Sequence, residues 1–453
     1  MTSLLVVCLH VVFDTVFGWT LLSLHPHDRS PAETLLLSVL LGMYVETISA
    51  ATLMFLGIPL VAAGIATAGG MGALTVTAFY WGRMHRPRLS FEWPKWYEWV
   101  LLTAVGEKVL FAAWQLIRTP TYFEDALAHW SGRARSLFGG VNWSVDAASP
   151  VFLAGYIGYN SYPLQTIIWR ALSAKLNGAW TEIISRADGL IFFLVTAGTI
   201  WLAVKRFSNI RWLAAAAAFV VSAVPLQVWH AAAGYSDIAV QAFLVAALAA
   251  ILRKEWVLGG VMAAGSLWSK NDGLVLYVPS LLVACALLQY PQDKGRTGWN
   301  NVGRFLLGLA TVAPWLIFNY VHRLGIRPGR NVVTWHSDAP ALLWEALMKS
   351  PTSSILWIAI FAGVAACCLS MFKDTAGRAL IFAFSISLGS ILFVFTSTNA
   401  YQFLVDETTI HRVMLQFSAM AILTVTYGLS LKAGSIDPAV RNISKRRAAC
   451  IKN

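Results

Sequence analysis

Long apolar stretches separated by short polar segments recur along the chain of 453 residues. Their lengths match the ~20 apolar residues that an α-helix needs to cross the hydrocarbon core of a bilayer. The short segments of alternating polarity that form a membrane β-barrel are not found. The pattern therefore predicts an all-α polytopic membrane protein with about thirteen transmembrane helices. The predicted spans are residues 3–24, 35–55, 58–81, 97–118, 183–204, 210–228, 236–252, 256–269, 273–290, 302–320, 354–371, 379–397 and 411–431.

Composition agrees with this pattern, since hydrophobic residues make up 57% of the chain and charged residues only 12%. Soluble domains carry about 25% charged residues. The 20 tryptophans and 13 tyrosines suit a protein that meets two membrane interfaces. The five cysteines show neither metal-binding nor disulfide spacing, so they predict no zinc site.

The net charge of +12 is concentrated in short loops, which indicates membrane topology rather than binding to nucleic acid. If those loops are cytoplasmic, the N-terminus lies outside and segment 432–453 is a basic cytoplasmic tail. The basic residues of these loops are Arg83, Arg86, Arg88, Lys95, Lys205, Arg206, Arg211, Arg253, Lys254, Lys294, Arg296, Arg304, Lys373 and Arg378.

In this topology most other polar residues fall on the external side of the membrane. They lie in a long loop at 119–182, in 230–237, in 321–353 and in 398–411, and the turn at 270–272 faces the same side. Irregular backbone at membrane depth is tolerated where it lines a cavity. We therefore expect acids and bases from distant parts of the chain to meet in one outward-opening chamber.

The turn "LWSKNDGL" at 267–274 places Lys270, Asn271 and Asp272 between two apolar stretches. An ionisable group at membrane depth costs about 3 kcal/mol on insertion scales, so such groups usually pair or serve a function. One interpretation is an internal pair between Lys270 and Asp272, with Asp272 capping the next helix. The other is that the turn lines the cavity.

A second candidate is "TPTYFEDALAHW", which follows the fourth span. Segment 122–140 is expected to form a short amphipathic helix on the membrane surface. On a helix Asp125 and His129 share a face, while Glu124 points roughly 100° away. A carboxylate here could accept a proton from a hydroxyl or hold a divalent cation. An exposed acidic pair without a role is the alternative.

Two further positions sit at the outer ends of predicted spans. Asp237, close to Tyr235, opens the seventh span, where Ser236 or Asp237 could simply cap the helix. His411 and Arg412 open the last span, where Arg412 either snorkels to the interface or contacts a phosphate.

The external loop 322–330 is unexpectedly basic, with Arg323 among its residues. Positive charge outside opposes the usual distribution in membrane proteins. This enrichment favours an anionic ligand on that side.

Five stretches occur in an order that resembles the C-type fold (GT-C) membrane glycosyltransferases. This superfamily uses polyprenyl- or dolichyl-phosphate sugars and includes the protein O-mannosyltransferases and the aminoarabinose lipid A transferases. The resemblance covers 97–431, the expected catalytic core, while 1–96 looks like an extension of about three spans. The stretches are "YFEDALAHW", "YNSYPLQTIIW", "AGYSDIAVQAFLVAALAAIL", "GSLWSKNDGLVLYVPSLLVA" and "HRVMLQFSAMAIL".

The resemblance implies transfer of a sugar from a polyprenyl-phosphate donor to an external hydroxyl, with inversion at the sugar. Asp125 or Glu124 would be the general base. A divalent cation (Mg²⁺ or Mn²⁺) is left open, because acids of this kind serve as bases or as ligands. The substrate-binding residues implied are Asp237, Tyr235, Lys270, Asn271, Asp272, His129, Tyr162, Arg323, His411 and Arg412.

The acceptor expected is a lipid or a glycan, with a protein acceptor also open, and the location is a bacterial-type inner membrane. Two other classes are weighed beside the transferase. A lipid-phosphate-dependent envelope enzyme, such as an O-antigen ligase or polymerase, shares the donor chemistry. A transporter or flippase would favour internally repeated halves, and no clear repeat is detected.

Overall fold

The computed structural model describes residues 2–24, 29–81, 93–121, 125–140, 143–154, 160–288, 297–325, 333–349, 354–407 and 409–436. Within these ranges the regular structure is helical, and β-structure is limited to isolated bridges. The helices are, in order, α1, Thr2–Leu24; α2, Pro31–Phe55; α3, Leu60–Tyr80; α4, Trp96–Arg118; α5, Gly132–Gly139; α6, Gln165–Asn177; α7, Ala187–Phe207; α8, Arg211–Ala223; α9, Pro225–Ala233; α10, Asp237–Leu252; α11, Trp256–Ser269; α12, Val278–Leu287; α13, Thr297–Leu309; α14, Ala313–Val321; α15, Ala339–Lys349; α16, Ser354–Lys373; α17, Thr375–Ser397; α18, Gln402–Val405; and α19, Ile410–Lys432.

Nine helical segments of the described chain are long and apolar enough to cross a membrane. They are α1 to α4, α7, the continuous pair α13–α14, α16, α17 and α19. The pair α8–α9 passes the same test but is bent by 62°. The chain is therefore an all-helical polytopic membrane protein, as its apolar pattern predicts.

Each of the thirteen predicted spans falls on one of these segments or on a shorter apolar helix. The shorter ones are α10, α11 and Gly273–Leu287. A helix of 16 residues, the length of α10, reaches only about 24 Å. The full count of thirteen crossings remains a prediction.

The bend between α8 and α9 has a local cause. Pro225 occupies the first turn of α9, where its missing N–H is tolerated. A residue before proline is driven out of the helical region, and Val224 is extended, with φ −62° and ψ 117°. The predicted single span at 210–228 is therefore a broken helix that ends at Ala233.

The centre of the bundle is α10, whose residues from Asp237 to Ile251 are all buried. It packs against α7, α11 and α19. α19 is also largely enclosed, with 89% of its apolar window buried. These two helices bring Asp237 and Arg412, each near a helix start, to the same end of the bundle.

At the opposite end of α10 a second ionic network joins three helices. Arg253 donates to Glu33 at the start of α2, at 3.2 Å, and Arg206 at the end of α7 donates to the same carboxylate at 3.2 Å. Arg29 pairs with Glu255 at 2.6 Å. In the predicted topology this is the cytoplasmic end.

The segment after Asp125 differs from its prediction as a helix lying on the membrane surface. It forms a π-helical turn, Ala126–Ser131, followed by α5. Trp130 and Arg133 are buried within the protein. The Arg133 guanidinium donates to the carbonyls of Leu153 and Tyr162 at 3.1 and 3.3 Å. The segment is thus anchored to the protein as well as amphipathic.

The predicted extension 1–96 packs directly on the rest of the bundle where it is described. α1 and α2 form an antiparallel pair. α2 contacts α6, α7 and α11, and α3 contacts α6.

Candidate functional site

Asp237 lies at the centre of an ion cluster, with its side chain at 0% exposure. Its Oδ1 accepts hydrogen bonds from Lys270 Nζ at 2.9 Å and from Gln416 Nε2 at 2.6 Å. Its Oδ2 accepts from Nη2 and Nε of Arg412 at 2.9 and 3.1 Å. A buried carboxylate remains charged only when it is paired and hydrogen-bonded. Both oxygens of Asp237 meet this condition.

The turn at 270–272 supplies the next contacts. Lys270 Nζ also pairs with Asp272 at 2.8 Å, and Asn271 donates to the carbonyl of Ser161 at 2.7 Å. Burial alone would lower the pKa of Lys270, but Asp237 and Asp272 outweigh burial and hold that pKa above its usual value. Lys270 is therefore a fixed positive charge between two carboxylates.

The helix-capping alternatives do not hold. Ser236, at the N-cap of α10, makes no side-chain cap hydrogen bond and instead bonds to Thr166 Oγ1 at 2.9 Å. Asp272 makes no cap hydrogen bond either. Its carboxylate instead lies 3.3 Å from Gln416 Nε2, in addition to its pair with Lys270. These side chains are directed at the cluster.

Arg412 connects the cluster to the loop that follows α4. Its Nη1 donates to Asp125, while the rest of its guanidinium holds Asp237. The guanidinium also lies over the ring of Tyr235, 4.5 Å from the ring centre, a favourable cation–π geometry. With 15% of its side chain exposed, Arg412 is held inside the protein rather than snorkelling to an interface.

Tyr235 completes a stacked wall beside Arg412. Its ring stacks on His230 with 4.7 Å between ring centres, and His230 Nδ1 lies 4.0 Å from Asp237 Oδ2. Burial raises the pKa of Tyr235 to about 12, so its hydroxyl stays protonated at neutral pH. Tyr235 is suited to packing and hydrogen bonding rather than to acting as a base.

Asp125 is the most exposed acid of the cluster, ahead of Asp272 at 25%. Its side chain is 36% exposed, whereas that of Asp237 is fully buried. His129 Nε2 lies 3.7 Å from Asp125 Oδ1, and the His129 ring meets the edge of Tyr162 at 5.6 Å. Glu124, the other predicted base, lies outside the described residues. Asp125 is the carboxylate that an acceptor could reach.

Both irregular turns of the site begin directly after its acids. The π-helical turn Ala126–Ser131 follows Asp125, and the π-helical turn Gly273–Tyr277 follows Asp272. Such turns are rare and occur frequently at functional sites. At both Asp125 and Asp272 the backbone therefore departs from regular α-helix immediately after the acid.

Two predicted residues stand apart from the ion cluster. Arg323 is exposed in the turn that follows α14 and forms no ion pair with the cluster in the described part of the chain. Its neighbours Arg327 and Arg330 lie outside the described residues. His411 faces Glu407 at 3.4 Å. Arg323 and His411 thus lie outside the ion cluster, and their role in substrate binding stays a prediction.

Residues that the sequence analysis did not select complete the cluster. Gln416 bridges Asp237 and Asp272, and its own carbonyl oxygen accepts from Tyr277 at 3.1 Å. It lies one turn after Arg412 on the same face of α19. That spacing is the signal that could have identified it. His230 had no comparable signal, because its role depends on the bend before α9.

An apolar cavity of about 580 Å³ is lined by residues of α9 and α19, two helices that also carry residues of the ion cluster. α9 contributes Val228 and Trp229 to the cavity and the next residue, His230, to the cluster. α19 likewise contributes Met414 and Leu415 to the cavity and Arg412 and Gln416 to the cluster. The other lining residues are Lys108, Phe111, Gln115, Ala223, Val224, Pro225, Leu226, Leu356, Trp357, His411 and Ser418.

A divalent cation would have to compete with a side chain at this site. Arg412 already lies between Asp125 and Asp237, two of the acids considered as ligands. The guanidinium therefore occupies the position that an ion bridging these carboxylates would take.

No protein family model, curated protein or solved structure matches the chain. The fold and the site define it as an all-helical membrane protein in which two helices, α9 and α19, carry residues of a buried ion cluster and also line an apolar cavity.

Proposed function

We propose that this protein is a membrane glycosyltransferase that moves a sugar from a polyprenyl-phosphate donor to an acceptor hydroxyl outside the cytoplasm. The observation that carries the proposal is that an apolar cavity and a cluster with two fixed cations are built on the same two helices. A polyprenyl phosphate has the same two parts, an apolar chain and an anionic head. Two helices, α9 and α19, line both the cavity and the cluster.

The cavity suits the lipid chain of such a donor. Its lining is mainly apolar, and Trp229 and Trp357 provide large ring surfaces. Burial of each CH₂ group contributes about 0.8 kcal/mol, so a few isoprene units in this cavity would supply considerable binding energy. With its lipid chain in the cavity, the donor would place its phosphate near Arg412 and Lys270.

Lys270 and Arg412 are the groups proposed to stabilise the phosphate. Charge builds up on the phosphate as the bond to the sugar breaks, and fixed cations at that position lower the barrier. Asp237 touches both cations and is itself fully buried. Its proposed role is to position them.

Asp125 is the proposed general base. Its carboxylate is paired with Arg412. A phosphate that binds to Arg412 would compete with this pair and release the carboxylate toward the acceptor. The cost of breaking the pair is modest because Asp125 is partly exposed to solvent.

The proposed reaction is a single displacement. The acceptor hydroxyl gives its proton to Asp125 while its oxygen forms a bond to the anomeric carbon of the sugar. The bond between that carbon and the phosphate oxygen breaks, and its electron pair stays on the phosphate held by Lys270 and Arg412. The configuration at the sugar inverts, and the products are the glycosylated acceptor and polyprenyl phosphate.

A donor screen tests this proposal directly. Purified protein in lipid nanodiscs is given undecaprenyl phosphate carrying radiolabelled mannose, glucose, arabinose or aminoarabinose, together with a membrane lipid extract as acceptor. We expect sugar to leave one of these donors and appear in the acceptor fraction, and Asp125→Asn to abolish the transfer. No transfer from any donor would contradict the proposal.

A second candidate is an envelope ligase or polymerase that uses a lipid diphosphate, such as an O-antigen ligase. The site holds two cations, Lys270 and Arg412. This number favours the second candidate, because a diphosphate carries more negative charge than a monophosphate. Transfer from undecaprenyl diphosphate oligosaccharide but not from the monophosphate donors would select it. Movement of intact donor across the bilayer without cleavage would instead indicate a flippase.

A further inference from the structure

A second buried polar cluster lies between α1 and α2, away from the candidate active site. His10, Asp14 and Glu46 are exposed by only 2%, 0% and 5%. One ligand atom from each residue lies within 4.8 Å of the other two. His10 Nε2 is 2.9 Å from both oxygens of Glu46.

Close packing of the two helices creates this cluster. A side chain on Gly42 would lie 2.0 Å from the backbone oxygen of Asp14, and one on Gly18 would lie 2.0 Å from that of Ser38. Small residues of this kind allow membrane helices to approach closely. The helices run antiparallel, so one turn beyond the contact of Asp14 with Gly42, His10 faces Glu46.

Residues of α6 form hydrogen bonds with His10 and Asp14, each through the side-chain atom that faces away from the centre of the cluster. Ser173 Oγ is 2.8 Å from His10 Nδ1, and the Trp169 indole N–H donates to Asp14 Oδ2 at 3.0 Å. The Trp169 ring also stacks on the His10 ring at 5.0 Å. Metal-binding histidines almost always use their second nitrogen in this way, which fixes the tautomer and ring orientation. His10 Nε2 and Asp14 Oδ1 are then directed inward.

On the inner face of the cluster one carboxylate oxygen lacks a hydrogen-bond partner within the described residues. Within the described residues, Asp14 Oδ1 is buried without a hydrogen-bond partner. No lysine or arginine of the described chain pairs with Asp14 or Glu46. Metal ligands must be deprotonated, and in that form two carboxylates and one neutral imidazole carry a charge of −2, which a divalent cation would balance. A buried polar atom without a partner is otherwise costly.

We propose that His10, Asp14 and Glu46 bind a divalent transition-metal ion, with Zn²⁺ as the best match. Imidazole together with carboxylates suits zinc, whereas magnesium and calcium prefer all-oxygen sites. The ion fastens the α1–α2 hairpin to α6 through the contacts of Ser173 and Trp169.

α6 contacts both the proposed metal site and the candidate active site. The metal proposal does not rest on the proposed reaction. At the other end of α6, Gln165 accepts a hydrogen bond from Ser269, next to Lys270, and Thr166 bonds to Ser236, next to Asp237. A metal ion that fixes α6 therefore stabilises one wall of the ion cluster. Metal binding can be measured directly, without an assay of the reaction that the protein catalyses.

The test measures bound metal and thermal stability. Full-length protein in nanodiscs is stripped with a chelator, incubated with Zn²⁺, passed over a desalting column and assayed by mass spectrometry of the elements. We expect about one zinc per chain, as for a single site. We also expect a melting temperature that rises with zinc concentration, because an ion bound only by the folded state stabilises it. Mg²⁺ added in place of Zn²⁺ should give neither effect.

Variants locate the site. Asp14→Asn and Glu46→Gln should lose the bound zinc and the zinc-dependent rise in melting temperature. Trp169→Phe keeps the ring but removes the N–H donor, and should weaken zinc binding about 10–100-fold. This milder variant keeps the test valid if a ligand variant fails to fold. Glu107→Gln, which changes a carboxylate of α4 that is 58% exposed, serves as the matched control and should bind zinc as the wild type does.

Two results would overturn the proposal. The first is wild-type protein that retains no zinc and whose melting temperature does not respond to it. The second is zinc binding that persists unchanged in Asp14→Asn and Glu46→Gln, since the ion would then lie elsewhere.

Discussion

Arg412 holds Asp237 with two nitrogens and Asp125 with a third. These acids lie 175 and 287 residues before it in the chain. One guanidinium therefore ties the start of α10, the start of α19 and the loop after α4 into a single cluster. This relationship separates the two acids by role, because Asp237 is enclosed while Asp125 is partly open to solvent.

Replacement of Asp237 should affect folding as well as activity. Asp237→Asn leaves Lys270 and Arg412 without their shared buried partner, and breaking a buried pair of this kind costs about 3–5 kcal/mol. We expect a clear fall in the melting temperature in detergent. The control is Glu345→Gln, which removes an exposed carboxylate in an i,i+4 pair and should leave the melting temperature nearly unchanged. Equal melting temperatures for the two variants would show that the cluster does not depend on Asp237.

Asp125 should behave differently, as a catalytic group rather than a structural one. Asp125→Asn removes the base but keeps the shape of the side chain, and loss of a general base costs about 10²–10⁴-fold in rate. We expect kcat to fall by this factor while the melting temperature changes little. Donor affinity should not fall, because the carboxylate that competes with the phosphate for Arg412 has been removed. Asp125→Glu should recover part of the rate. An Asp125→Asn variant with wild-type kcat would exclude this residue as the base.

The contribution of Lys270 to stability should not vary with pH across the neutral and mildly alkaline range. The pKa of Lys270 is raised in the folded protein, since Asp237 and Asp272 outweigh its burial. A raised pKa gives a contribution that is complete below the unfolded pKa, about 10.4 for lysine, and is lost only as pH rises through the higher folded value. The difference in melting temperature between wild type and Lys270→Met should therefore stay constant from about pH 7 to pH 10. A difference that shrinks within this window would contradict the raised pKa.

The apolar cavity should select for donors with long lipid chains. Ala223 lines it at the end of α8, so Ala223→Phe places a ring in the space proposed for the chain. Loss of two or three buried CH₂ groups at about 0.8 kcal/mol each corresponds to roughly a 10–50-fold rise in KM for an undecaprenyl donor. A donor with a two-isoprene chain should be affected far less.

The matched control for the cavity is Ala433→Phe, at the exposed far end of α19. It adds the same ring outside the cavity and should leave KM unchanged for both donors. Equal effects of Ala223→Phe on long-chain and short-chain donors would place the lipid elsewhere.

The positions of the membrane helices could be predicted because they depend on local hydropathy. Each predicted span corresponds to an apolar helix or helix pair, although ends shift by a few residues, as in α7. The bend at Val224 was missed, since the apolar pattern continues through Pro225. Hydropathy also gives no direct sign that α10 and α11 are as short as 16 and 14 residues.

Part of the site could be predicted from the cost of placing charge in an apolar setting. Because charge in an apolar setting is costly, Lys270, Asp237 and Arg412 could be predicted as site residues. The structure brings these three together. Their pairing could not be derived from local sequence, because it depends on how α10 and α19 pack. For the same reason Glu46 alone gave no indication that His10 would face it.

The central claim is that Lys270 and Arg412 bind the phosphate of a lipid donor, and the most direct test compares two ligands that differ only in that group. Affinities of undecaprenyl phosphate and undecaprenol are measured for wild type and Lys270→Met in nanodiscs. Hydrogen bonds to charged groups contribute about 1.5–3 kcal/mol, so wild type should bind the phosphate roughly 10–100-fold more tightly than the alcohol. Lys270→Met should lose most of this preference. Equal affinities for the two ligands in wild type, or an undiminished preference in Lys270→Met, would contradict the account.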